Sequence, residues 1–107
     1  MLKFEFYNKE ELKAFIRIVQ EIIMELESEN MTENDSFKRY EIQAKIELME
    51  EILPKIEKKQ FNSQVKNSVQ LTKAVAIILF QYRSIVVDIY AEMLKNRLVQ
   101  EIHREMM

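Results

Sequence analysis

Glycine, cysteine and tryptophan are absent from this 107-residue chain, and proline and histidine occur once each. Without glycine there is no residue that takes a left-handed backbone at little steric cost, which excludes tight primed hairpin turns and glycine-rich phosphate loops. Without cysteine there is no disulfide framework, no thiolate zinc site and no cysteine nucleophile. That usage fits a reducing compartment, so a cytoplasmic location is expected. The only histidine, His103, follows Glu101 by two residues rather than three, so the Glu-x-x-His motif of di-iron bundles is missing. No serine has a histidine base fixed beside it either, and hydrolytic triad chemistry is unsupported. The expectation is a non-enzymatic protein with no metal and no cofactor.

Long apolar runs are also lacking. The longest uninterrupted one, residues 74–80, is far short of the roughly 20 needed to cross a bilayer, and Arg83 and Asp88 fall inside the most apolar window. No membrane association is expected. The N-terminus, Met-Leu-Lys-Phe-Glu-Phe-Tyr, has neither the cationic start nor the long apolar core of a signal peptide.

What is present favours helices. Hydrophobic residues make up 48% of the chain and charged ones 32%, a balance that builds amphipathic helices joined by short polar links. The net charge is −2, too small for a global field that would hold nucleic acid. Its distribution is uneven: residues 1–36 carry four basic against nine acidic side chains, so the acidic excess sits on the first helix and its loop.

Leu2, Phe4 and Phe6 alternate with Lys3, Glu5 and Tyr7, a period of two that argues for an extended segment. Nothing else in the chain alternates clearly. Residues 1–7 are therefore expected to form an extended arm, or to pair with a copy of themselves or with another protein's sheet edge. Asn8 and Glu11 have the form of a capping box and open a first helix over 8–29. Its stripe is Leu12, Phe15, Ile16, Val19, Ile22, Ile23 and Leu26, with Lys13, Arg17, Glu21, Glu25 and Glu29 left to solvent.

The polar stretch from Asn30 to Ser36 is the one clear loop, and Asp35 or Ser36 can cap a second helix over 36–60. That helix has two adjacent stripes. One holds Phe37, Tyr40, Ala44, Leu48 and Ile52; the other holds Ile42, Ile46, Met49, Leu53 and Ile56, so the helix is expected to touch two neighbours. Pro54 removes a backbone donor and should kink it.

A third helix is expected over 63–104, apolar around most of its circumference from residue 69 to 98. Unbroken, it would span about 60 Å against about 30 to 36 Å for each of the others. Its polar residues, Lys66, Gln70, Lys73, Gln81, Ser84, Asp88, Glu92 and Lys95, share one narrow strip interrupted by Ile77. The expected fold is all-α: an antiparallel bundle of three long helices, or four if the third breaks near Arg83 and Ser84, completed by dimerisation. A two-fold homodimer is the commonest way to cover the surplus length.

Arg83 lies off the polar strip, with Tyr82 and Tyr90 nearby. A guanidinium on an apolar face snorkels, pairs internally or recognises an acidic group on a partner, and these three residues are the candidate partner contacts. Lys55, Lys58, Lys59, Lys66 and Lys73, opposed only by Glu57, form a local basic run around Pro54. Such a corner is ordinarily a solvated surface. A nucleic-acid-associated accessory protein contacting phosphates through it is the alternative to the leading expectation, a small protein-interaction module.

Overall fold

A computed structural model describes residues 2–59, 67–85 and 88–106. The order of elements is β1 (Leu2–Phe6), α1 (Lys9–Thr32), α2 (Ser36–Glu57), β2 (Asn67–Leu71), α3 (Lys73–Gln81) and α4 (Ile89–Met106). The four helices hold 76% of the described residues, so the chain is helical in the main, with one small two-stranded sheet.

The helix starts follow from local chemistry. Asn8 is extended (φ −154°, ψ 173°) and its side-chain oxygen accepts the Glu11 N–H at 2.9 Å. Glu11 reaches back one residue further than in the usual capping box and accepts from the Tyr7 N–H at 2.7 Å. Asp35 caps α2 by accepting from the Phe37 and Lys38 N–H groups at 2.9 and 3.1 Å. With these caps α1 runs to Thr32, three residues past the expected end at 29, and α2 closes at Glu57 rather than 60. α2 passes through Pro54 without a break, since the lost hydrogen bond falls in its final turn.

Two expectations need correction. The N-terminal segment is not a free arm and does not need a second copy for pairing. It is β1, antiparallel to β2 of the same chain, with Leu2 opposite Leu71, Phe4 opposite Val69 and Phe6 opposite Asn67. Nor do residues 63–104 form one helix, because 67–71 is a strand and 73–81 and 89–106 are separate helices.

The reason for the strand is geometric. Val69 and Leu71 are two apart, so a helix would point them about 200° away from each other, whereas a strand aims both at the core. Both are buried there, beside Phe4 and Phe6. Burying a side chain of this size is worth about 1.5–3 kcal/mol, more than the helical preference of five ordinary residues at a few tenths each. Thr72 then caps α3, its hydroxyl accepting from the Val75 N–H at 3.2 Å.

The second interruption falls beside Arg83. α3 ends at Gln81, where the Tyr82 N–H turns back to the Ile78 carbonyl and the Arg83 N–H to that of Phe80, and a strong cap lies a few residues on. That cap is Asp88, whose carboxylate accepts from the Ala91 N–H at 2.8 Å and opens α4. The length mismatch that first motivated a dimer disappears with the long helix.

The element at the centre is α1. It packs along α2, against α4 and under β1, burying Leu12, Phe15, Val19, Ile22, Ile23 and Leu26 as the spacing predicts, together with Ala14 and Ile18. Phe15 meets Phe4 and Phe6 with ring centroids 6.2 and 5.3 Å apart, which fixes the sheet on the helix. Of the two stripes on α2, the chain buries chiefly one. Of the second stripe Ile46, Met49 and Ile56 enter the core and Ile42 and Leu53 are half-buried; of the first Ile52 is buried and Leu48 half-buried, while Phe37, Tyr40 and Ala44 stay exposed.

Candidate interaction surfaces

The three residues picked as partner contacts face different neighbours. Tyr82 is half-buried at the end of α3 and donates its hydroxyl to the Glu29 carboxylate of α1 at 2.8 Å. Burial first, then the bond to Glu29 and the charges of Glu29 and Glu25, hold its phenol well above the ordinary range, so it stays neutral and works as an internal tie. Arg83 is exposed, but its guanidinium lies 4.4 Å over the Phe80 ring and donates to the Phe80 carbonyl at 2.9 Å. It covers the carbonyl end of α3, where a cation is favoured by the helix dipole. Tyr90 alone is turned outward, on the first turn of α4 with Ile89 and Met93; these are 51%, 68% and 65% exposed.

The basic corner is likewise divided. Lys66 lies outside the described residues. Lys55 pairs loosely with Glu51 at 3.8 Å, and Lys58 and Lys59 are exposed at the end of α2. Lys55 and Lys59 border a hollow of about 430 Å³ beside β2, whereas Lys73 borders a different one, of about 320 Å³, near Leu2, Ile77, Ile102 and Glu105. An anionic backbone tracking all these lysines has no single groove to follow among the described residues.

The supposed polar strip is also partly internal. Lys95 is buried and donates its ammonium to the Ile85 carbonyl at 2.8 Å. Burial pushes its pKa down and the nearby Glu92 carboxylate opposes that shift. Asp88, on the same strip, caps α4 and pairs with Arg17 of α1. The Ala91 N–H holds its carboxyl below the usual range; desolvation opposes this and Arg17 reinforces it.

Arg97 had no place among the sequence-derived candidates, yet it ties three parts of the chain together. Its guanidinium bridges Glu11 at 2.8 Å and lies 4.6 Å over Phe4 and 4.0 Å over Tyr7. It thereby joins α4 to β1 and to the cap of α1. The sequence signal was the capping box itself, since a carboxylate engaged at a helix start offers a second lone pair to a cation.

Among the described residues no three histidine, aspartate or glutamate side chains come together as a metal-binding group, and no helix is long and apolar enough to cross a membrane. Compared with protein families, with curated proteins and with solved structures, the chain matches none.

Among the described residues, exposed large apolar side chains cluster in two places, while Tyr7, Met24 and Ile77 are exposed elsewhere. Around the end of the α1–α2 pair, Met31 is 86% exposed, Phe37 76% and Tyr40 80%. The other place is the Ile89, Tyr90 and Met93 turn of α4. Side chains of this size on an outer face are what interfaces are enriched in.

Proposed function

We propose that this protein is a non-enzymatic protein-protein interaction module, an adaptor, regulator or inhibitor, that acts as a helical homodimer. The observation that carries the proposal is the exposure of Phe37 and Tyr40, aromatic rings at helical spacing on a stripe where Ala44 is exposed as well and Leu48 is only half-buried. One apolar surface serves self-association, and the second, Ile89 with Tyr90 and Met93, is left for a different protein. The surface offered is aromatic rather than acidic, because several carboxylates of the acidic N-terminal third are engaged inside the chain.

Light scattering tests the dimer: a particle of twice the 13.0 kDa chain mass supports it, and a 13.0 kDa particle well above micromolar concentration overturns it. A gel shift at two salt concentrations tests the choice of macromolecule. Retardation of nucleic acid that weakens steeply with salt would replace this proposal by the nucleic-acid alternative, and absence of retardation at low salt supports the protein module.

A further inference from the structure

Resting on the homodimer just proposed, we infer where the two copies meet: α2 packs antiparallel against α2 of a second copy, about a two-fold axis passing close to Ala44. Phe37, Tyr40, Ala44 and Leu48 recur at spacings of three and four on one side of the helix, turned away from the buried Ile46 and Met49. Two such stripes on one helix call for two neighbours. The chain supplies the first through α1 and α3, and nothing described covers Phe37, Tyr40 or Ala44.

Charge identifies the second neighbour and its direction. Over residues 36–46, α2 carries Lys38, Arg39 and Lys45 against Glu41 alone; over 47–57 it carries Glu47, Glu50, Glu51 and Glu57 against Lys55 alone. The helix is therefore positive in its first half and negative in its second. A copy laid antiparallel sets each positive half beside a negative one, and a parallel copy sets like beside like. The same arrangement is isologous, as a closed two-fold dimer requires.

Packing agrees with the charge pattern. Alanine at the crossing point lets the helix axes approach to the 8–10 Å of ordinary helix pairs, and Tyr40 of each copy then lies level with Leu48 of the other. A buried aromatic covers about 150–250 Å², so the four rings, each about three-quarters exposed, contribute on the order of 500 Å². With the rest of the helix face this reaches the low end of specific interfaces.

The absence of native cysteine makes the test clean. Ala44→Cys and Phe37→Cys are prepared separately in the full-length chain and oxidised. About a two-fold axis at residue 44, the thiols introduced at 44 face each other, whereas those at 37 are separated by 14 residues of rise, about 21 Å, beyond disulfide reach. The expected result is efficient cross-linking at 44 and none at 37. Alongside it, Tyr40→Glu should halve the particle mass with unchanged helicity, because Tyr40 contributes nothing to the core. Cross-linking at both positions overturns the antiparallel arrangement. A particle of twice the chain mass with no link at 44 and no effect of Tyr40→Glu overturns the α2 interface and leaves the homodimer standing. A monomeric mass throughout overturns both.

Discussion

Replacing Arg97 by alanine removes one contact to a carboxylate and two to aromatic rings, and the cost can be worked from their surroundings. The Arg97 and Glu11 side chains are 21% and 18% exposed, so their hydrogen bond is largely shielded from water and worth about 1.5–3 kcal/mol. The ring contacts add about 0.5–1 kcal/mol each, the stronger being the one to fully buried Phe4. Part of this is recovered when Arg97 is lost, because Glu11 keeps the Tyr7 N–H and water enters the gap. The net expectation for Arg97→Ala is a loss of about 2–3 kcal/mol, or roughly 10 °C in melting midpoint for a chain of this length. Urea titration followed by circular dichroism measures it, with an unchanged denaturant slope expected. Arg97→Lys should recover less than half of the loss, since an ammonium has neither the planar fork nor the stacking face. In a double-mutant cycle with Glu11→Gln, which keeps an acceptor for Tyr7, the coupling should be about 1 kcal/mol. A loss below about 1 kcal/mol for Arg97→Ala, or full rescue by lysine, would refute the claim that this cluster joins α4 to the start of α1.

Two predictions concern pH. The Asp88 carboxyl is held below its ordinary value of 3.8, so its contribution is present above that value and is lost as pH falls through its lowered native one; Asp88→Asn should flatten the stability profile measured by urea melts between pH 2 and 5. The Tyr82 phenol is raised above its ordinary value of 10.0, so the opposite sign applies: its contribution is present below pH 10 and fades as pH climbs higher. Tyr82→Phe should remove that alkaline loss and cost about 1 kcal/mol at neutral pH, and an alkaline limb identical to that of the unmodified chain would exclude Tyr82 as its cause.

The parts of the fold legible in the sequence were those written in short-range chemistry. Asn8 with Glu11, and Asp35 before Phe37, fixed two helix starts because a cap is decided within four residues. The stripe of α1 was legible for the same reason. β2 was not, because Asn67–Leu71 carries only two apolar side chains and becomes a strand through its partner, sixty-odd residues earlier. Arg97 and Lys95 escaped a helical-wheel reading because each reaches an atom far from its own helix face, the Glu11 carboxylate of α1 and the Ile85 carbonyl before α4. The exposed stripe of α2 was legible as a stripe; which of the two stripes the chain would bury depended on the position of α1 and α3.

The polar ties are arranged along α1 in a way that bears on where a partner can bind. Glu11 near its start meets Arg97, Arg17 meets Asp88, and Glu29 near its end meets Tyr82. All three fasten α1 to the second half of the chain, at α4, at the cap of α4 and at the end of α3. By contrast α2 is held through its apolar stripe, with Lys45 donating to Gln81 as its polar link to α3. Directional, partly buried charge contacts fix register, whereas apolar burial is tolerant of small shifts. Among the described residues α2 makes no ion pair to another element, so its outer face can adjust to a second copy without breaking one. Its Phe37 and Tyr40 rings can be removed at little cost to the fold, and that separability is what allows a loss of association to be distinguished from a loss of structure.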